Sequence, residues 1–201
     1  DVWFVAESER FKGYWHVQVS EEKGGLRIRE EVEIEFDRTE VPTRAGWISE
    51  ALCTKDRWLT PIEAKTSTHV GDKTIMDVVL TFKPGQVTSS STIHRKDKAP
   101  YDVIDPPRKN TRTQELGDKV VLQTAAFPLY SLFTRPDEST AVTFIEFPDD
   151  TDEDITVKSK RIEYLGPAEV MVDGKAHEAV RYRAHMVDEF SVTRDGVLLV
   201  T

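Results

Sequence analysis

The chain is dominated by stretches in which apolar and polar side chains alternate, a pattern typical of β-strands. In "FKGYWHVQV", residues 11–19, apolar or small side chains stand at every second position. Because successive residues of a strand point to opposite faces of a sheet, this stretch predicts a strand with one dry and one wet face. Trp15 and Val17 belong to the dry face, and Lys12 and Gln18 belong to the wet face.

The next stretch, "LRIREEVEIEF" at residues 26–36, alternates in the same way. Its apolar face carries Leu26, Ile28, Val32, Ile34 and Phe36. Glu30 is the one charged residue on that face, which predicts a position near the rim of the sheet or at a β-bulge. Gly24 and Gly25 separate this strand from the first one and predict a tight hairpin.

Further strands follow along the chain, with turn residues between them. The clearest are "TIMDVVLTF" (74–82) and "EAVRYRAHMVDEFSV" (178–192), and Asp-Gly pairs flank the second one. Shorter strands are predicted at 2–6, 47–53, 60–69, 86–93, 118–123, 141–147, 155–165, 168–172 and 197–200. Hairpin turns favour an antiparallel sheet, and strands longer than about six residues favour strong curvature.

The predicted fold is all-β, with one or two short helices. It is a strongly curved antiparallel sheet, as a half-barrel or a barrel, in a single domain over residues 1–201. In "TAAFPLYSLFTRP" (124–136), Pro128 can begin a helix, and residues 128–133 leave almost no polar face. We expect either a buried helix across the curved sheet or an ordinary capping helix. The charged, proline-bearing stretch 94–112 predicts a long mobile loop.

Composition and charge narrow the classes of function. The chain has 38% hydrophobic and 31% charged residues, as a globular protein does, and no run near the ~20 apolar residues of a membrane span. The formal net charge of −9 disfavours nucleic acid and anionic lipid headgroups as partners. The basic run within 94–112 is short and lacks interleaved aromatic residues, so we interpret it as solvated.

Catalytic and metal-binding motifs do not emerge from the sequence. The five histidines form neither H-x₃-H nor HExxH, and "DDTDEDIT" (149–156) lacks the glycine and the bidentate acid of an EF-hand. Cys53, the single cysteine, has no histidine near it in sequence and predicts a small buried residue, although a hydrolase using Cys53 or an acidic pair is a minor alternative. We therefore expect a non-enzymatic protein without catalytic residues, metal or cofactor.

The remaining candidate site is the apolar interior, where a barrel-like sheet holds its ligands. The residues expected to line it are Trp15, Phe36, Phe82, Phe133, Tyr182 and Met186. The alternative is that these side chains fill the core completely and leave no room for a ligand.

Two family resemblances accompany this pattern. "FKGYW" resembles the G-x-W signature of lipocalins, over about ten residues. The order of "TKDRWLTPIEAK", "GDKTIMDVVLTFKPGQV", "FPLYSLF" and "EVMVDGKAHEAVRY" resembles exported bacterial proteins of unknown function whose curved sheet is similar to that of the LolA-type lipoprotein carriers. The resemblance implies an exported half-barrel that holds lipid-like groups.

From these observations we expect a periplasmic or secreted domain that binds an apolar or lipid-like ligand, such as a lipid or a lipoprotein acyl chain. The chain begins at Asp1, which fits a removed signal peptide or a trimmed boundary. The alternative function is a structural or protein-interaction domain of a larger cell-envelope protein, with an envelope protein as its partner.

Overall fold

The computed structural model describes residues 2–7, 11–36, 43–56, 59–96, 99–122, 139–147, 155–172, 174–184, 188–193 and 198–200. All of the regular secondary structure in these ranges consists of β-strands. The predicted all-β, antiparallel fold is confirmed, since all but one of the strand pairs run antiparallel. Within the described ranges, no helix is long and apolar enough to cross a bilayer.

The first sheet is an eight-stranded meander in which each strand pairs with the next one along the chain. Its strands are β1 (Val2–Glu7), β2 (Phe11–Glu22), β3 (Gly25–Phe36), β4 (Thr43–Cys53), β5 (Pro61–Val70), β6 (Lys73–Lys83), β7 (Gln86–Lys96) and β8 (Ala99–Glu115). The predicted hairpin between β2 and β3 is confirmed: Glu22 pairs with Gly25, and Gly24 has a φ of +104°, which a side chain would disfavour.

The second sheet has six strands in the order β14-β13-β12-β11-β10-β9. They are β9 (Val120–Leu122), β10 (Thr140–Glu146), β11 (Thr156–Val172), β12 (Lys175–Ala184), β13 (Asp188–Thr193) and β14 (Leu198–Val200). β9 pairs with β10 in the parallel direction.

The stretch 178–192, predicted as one strand, forms parts of two strands that pair with each other. Tyr182 lies opposite Phe190, and Val180 lies opposite Val192. The prediction missed this hairpin because "HMV" (185–187) contains no turn residue and because three residues between two strands preserve the alternation of apolar positions.

The two sheets share one hydrophobic core. From the first sheet it includes Val17, Ile28, Ala51, Ala64, Met76, Val78, Leu80, Val87 and Ile93. From β9, β10, the residue before β11 and the start of β11 it includes Val120, Leu122, Ile145, Ile155 and Val157. We call the face of the first sheet that carries these residues the inner face. A second, smaller cluster lies on the other side of β9 and β10 and contains Val121, Val142, Phe144, Ile162 and Tyr182.

The loop predicted over residues 94–112 is wrong, because most of that stretch is in strand β8. β8 pairs with β7 from Gln86–Glu115 to Lys96–Ala99. The sequence of β8 lacks the alternation of apolar and polar residues that indicates a strand, because most residues at both parities are polar. Three prolines are tolerated because β8 is last in the strand order of this sheet and its register shifts near Arg95. The predicted helix at 128–133 lies outside the described residues.

Candidate functional site

A row of six cross-strand neighbours runs across the middle of the inner face, and four of its members are polar. Residues directly opposite each other in paired strands lie on the same face. The row, which we call the central row, consists of Val17, Glu30, Ser49, Thr66, Val78 and Ser91. Each of the six is at most 5% exposed. A carboxyl group and three hydroxyls are therefore buried within a largely apolar core.

Glu30 is the only charged-type side chain of the central row, and it is 2% exposed. Its predicted position near a rim or a bulge is wrong, because β2, β3 and β4 pair through Glu30 without any shift of register. Nε1 of Trp47 donates a hydrogen bond to Oε1 of Glu30 at 3.0 Å. The second oxygen, Oε2, is buried and has no hydrogen-bond partner among the described residues.

Burial changes the acidity of this carboxyl group. Loss of hydration raises the pKa of Glu30 from 4.5 to about 8, and the hydrogen bond from Trp47 opposes that rise only in part. The side chains of Arg29 and Glu31, next to Glu30 on β3, point to the opposite face of the sheet. Its direct neighbours across β2 and β4 are Val17 and Ser49, so the described partners supply no cation. Glu30 is therefore mostly neutral at pH 7.

The hydroxyls beside Glu30 bond to each other. Ser49 Oγ donates to Thr66 Oγ1 at 2.8 Å, and both side chains are buried. The Ser49 hydroxyl has one proton, which this bond uses. Ser49 lies directly opposite Glu30 but cannot donate to it in this arrangement.

The neighbouring row of the inner face is partly open to solvent. It consists of Trp15, Val32, Trp47, Thr68, Met76 and Ile93, and we call it the tryptophan row. Trp15, Trp47 and Thr68 are half-buried, whereas Met76 and Ile93 are fully buried. On β3 itself this row is buried, since Val32 is 7% exposed, so the half-buried side chains nearest to Glu30 are those of β2 and β4.

The opposite, outer face of the same strands carries paired charges. Glu33 accepts hydrogen bonds from Nε2 of His69 at 2.9 Å and forms an ion pair with Nε of Arg44 at 2.6 Å. Gly46 lies between Glu33 and His69 in the pairing of β3, β4 and β5. A Cβ at Gly46 would meet the backbone oxygen of Val32 and lie 3.1 Å from Cε1 of His69. Here the polar groups have partners, unlike Oε2 of Glu30.

A tyrosine on the outer face of β2 is held by a carboxylate. Tyr14 Oη donates to Oε1 of Glu31 at 2.7 Å. This bond, followed by partial burial, raises the pKa of Tyr14 to about 12, and the same bond lowers the pKa of Glu31. The pair stabilises the neutral phenol and supplies no reactive phenolate.

The structure describes four of the six residues predicted to line a ligand site, and these four do not all lie in one cluster. Trp15 and Phe82 are half-buried and pack against the shared core, whereas Tyr182 is buried in the second, smaller cluster. Phe36 is half-buried at the end of β3. Phe133 and Met186 lie outside the described residues.

Cys53 is buried at 3% exposure. Burial, with a smaller contribution from Asp56, raises the pKa of its thiol to about 12. A thiol of this kind is a poor nucleophile. In the ranges that the structure describes, no group of three or more His, Cys, Asp or Glu side chains could hold a metal ion.

The inference from sequence missed the polar residues of the inner face. Glu30 gave a signal, because it interrupts an apolar parity, but the alternation does not distinguish a rim from the centre of a sheet. Ser49 and Thr66 gave none, since small hydroxyl residues are common on either face of a strand. Their proximity to Glu30 depends on the pairing of β3, β4 and β5.

The fold and the buried carboxyl group together define a class: an antiparallel, barrel-like β protein with a polar row inside its core. A comparison of structures agrees with the first part of this description. The chain is similar to the crystal structure of a β-barrel-like protein of a domain of unknown function, DUF1849, from Brucella abortus, with a TM-score of 0.56 over 94% of this chain and 79% of that one. The two sequences are 12% identical, so the similarity shows the fold. No protein-family model and no curated protein matches the chain.

This similarity supports the predicted curved, barrel-like sheet. It does not single out the lipoprotein carriers or the lipocalins that the sequence motifs resemble.

Proposed function

We propose that the protein binds an amphipathic ligand on the inner face of the first sheet, with the apolar part of the ligand against the core and its polar end beside Glu30. One observation carries the proposal: Oε2 of Glu30 is buried and has no hydrogen-bond partner among the described residues. A buried polar atom without a partner costs roughly 1–3 kcal/mol, and such exceptions call for a functional explanation. A bound ligand would supply the partner.

The surroundings of Glu30 suit the apolar part of such a ligand. Val17, Ile28 and Ala51 form an apolar patch around it on three adjacent strands. Half-buried Trp15 and Thr68 lie at the accessible margin of the same face. Barrel-like folds bind small molecules in their interior or mouth, where a few polar groups fix the orientation of a mostly apolar molecule.

The proposal describes a binding protein without catalysis. We further propose that the ligand is a lipid or an acyl chain and that the protein is exported from the cytoplasm. Both of these features rest on the sequence resemblance. Fractionation of host cells, followed by detection with an antibody, tests export separately: recovery of the protein in the cytoplasmic fraction contradicts it.

Native mass spectrometry of the protein purified from its own host tests binding. We expect a population that carries an additional mass in the lipid range and loses it on extraction with organic solvent. Thr68 and Ser67 provide a matched pair of positions, because they are adjacent on β5 and point to opposite faces. Thr68→Trp should reduce the retained mass by filling the margin of the inner face, whereas Ser67→Trp on the outer face should leave it unchanged.

Circular dichroism establishes first that both variants are folded. Equal retention in both variants would place the ligand elsewhere and contradict the proposal. Failure of the wild type to retain a mass or to bind an added alkyl probe such as dodecanol would also contradict it, and would favour the structural or interaction domain.

A further inference from the structure

We infer that the polar end of the ligand is a primary amine, which binds as an ammonium group to the ionised carboxylate of Glu30. The inference rests on the proposed function and specifies the chemical class of its ligand: an alkylamine or an amine-bearing lipid. It follows from the hydrogen-bonding capacity and the charge of the groups around Glu30.

When Glu30 is ionised, its Oε2 requires a hydrogen-bond donor, which the described residues do not provide. Oε1 already accepts from Nε1 of Trp47, and the proton of the Ser49 hydroxyl is directed to Thr66. Val17 and Val78, the apolar members of the central row, have no side-chain donor. An ammonium group has three N–H donors. It could donate to Oε2 of Glu30 and, with another proton, to the Ser49 oxygen opposite.

The charge of the site also favours a cation. The groups facing Glu30 across β2 and β4 are Val17 and Ser49, and those that the second sheet adds to the shared core are Val120, Leu122, Ile145, Ile155 and Val157. Among the described residues, none of these is titratable. A carboxylate or phosphate end would meet a carboxyl group without a compensating cation, whereas an ammonium would neutralise it. A buried charge is tolerated when it is paired and hydrogen-bonded.

The number of protons released on binding makes the inference measurable. Because burial raises the pKa of Glu30 to about 8, the free protein holds this carboxyl group mostly protonated at neutral pH. The ammonium arrives already protonated, so forming the ion pair releases the proton of Glu30 to solvent. Binding of an alcohol leaves that proton in place. Binding of a fatty acid would require its carboxyl group to take up a proton, which gives the opposite dependence on pH.

Isothermal titration calorimetry with dodecylamine, dodecanol and dodecyltrimethylammonium, each kept below its micelle concentration, tests the inference. The trimethylammonium probe has the same charge but no N–H donor, so it measures attraction to an acidic surface alone. We expect dodecylamine to bind at least about tenfold more tightly than either other probe. Titrations in buffers of different ionisation enthalpy should show release of about one proton at neutral pH and almost none near pH 10.

Glu30→Gln provides the decisive variant, with exposed Glu35→Gln on the same strand as its control. Glu30→Gln should lose the preference for dodecylamine and the proton release but still bind dodecanol, whereas Glu35→Gln should behave as the wild type. If Glu30→Gln does not fold, the wild-type probe ranking and proton count still decide the outcome.

Two results would overturn the inference. One is equal affinity for dodecylamine and dodecanol without proton release, which leaves the proposed binding of an amphipathic ligand intact. The other is a preference for dodecylamine that persists in Glu30→Gln, which assigns the amine to another carboxylate. Absence of binding by all three probes refutes the proposed function itself.

Discussion

Nε1 of Trp47 and Oε1 of Glu30 form a 3.0 Å hydrogen bond between two residues that are not directly paired. Across β3 and β4, Trp47 lies opposite Val32, and Glu30 lies opposite Ser49. The bond is therefore diagonal, a distance that an aromatic side chain can span on one face of a sheet. Among the described residues, this bond is the one hydrogen bond that the buried carboxyl group accepts, and Oε2 has no partner.

Because Glu30 is buried, we expect the free energy of unfolding to decrease as the pH rises. The pKa of this carboxyl group is about 8 in the folded protein and 4.5 in a solvated chain. Between these values the unfolded chain has lost the proton and the folded protein retains it, so the stability falls with rising pH and becomes constant above pH 8. The difference corresponds to on the order of 5 kcal/mol of destabilisation by ionised Glu30.

Glu30→Gln removes this dependence, because glutamine does not titrate in this range. The free energy of unfolding of Glu30→Gln minus that of the wild type should increase by several kcal/mol from about pH 4 to about pH 9, as measured by denaturant titration. The surface carboxylates with lowered pKa, such as Glu31 and Glu50, weaken the fold at low pH in both proteins and cancel in the difference. Glu35→Gln serves as the control, and parallel profiles for Glu30→Gln and wild type would mean that Glu30 is hydrated.

The buried hydroxyl pair of Ser49 and Thr66 predicts coupling between two substitutions. Ser49→Ala leaves the Thr66 hydroxyl without its donor in a buried position, and Thr66→Val removes the acceptor of Ser49. Each single change should destabilise by about 1–3 kcal/mol, while the double variant should lose about 1 kcal/mol less than the sum. Denaturant midpoints give the four energies of the cycle.

An exposed hydroxyl pair on the outer face supplies the control for this cycle. Thr88 and Thr113 lie 3.0 Å apart between β7 and β8. Water can replace either hydroxyl, so Thr88→Val and Thr113→Val should show almost no coupling. Equal coupling energies at the two pairs would show that burial does not determine the strength of the Ser49–Thr66 bond.

Gly46 on β4 occupies a position where a side chain would clash with residues of β3 and β5. In Gly46→Ala the new methyl group would meet the backbone oxygen of Val32 and press on the ring of His69. Relieving that overlap should reduce the free energy of unfolding by about 3 kcal/mol. Gly71→Ala is the comparison: its Cβ would meet nothing within 4 Å, and only its φ of +58° opposes a side chain. That change should cost about 1 kcal/mol, and an equal loss in the two variants would contradict the role given to Gly46.

Cys53 should react slowly in the folded protein. With its pKa raised to about 12 by burial, the thiolate at pH 8 is scarcer by about a thousandfold than for a thiol with the ordinary value of 9.0. Alkylation by iodoacetamide, followed by mass spectrometry, should be slow in buffer and fast in guanidinium chloride. Rapid labelling of the native protein would instead support the alternative of a hydrolase that uses Cys53.

Glu30 shows most clearly how much of the structure can be predicted from the sequence. The alternation in "LRIREEVEIEF" correctly places this residue on the apolar side of β3, because the direction of a strand side chain follows from its position along the chain. Its depth depends on which strands cover it, and the prediction of a rim position failed for that reason. The same limit applies to β8, where two polar faces conceal a strand that its pairing with β7 reveals.

By itself, the sequence determined the antiparallel β class, most of the strands and the faces of β2 and β3, since these follow from a local period of two. The tertiary structure alone decided which residues of separate strands meet: Ser49 and Thr66 join Glu30 through the register of β3, β4 and β5. It also decided that the second sheet covers the same core. The physical reason is that pairing and burial depend on contacts between distant segments, and the acidity of Glu30 depends on that burial.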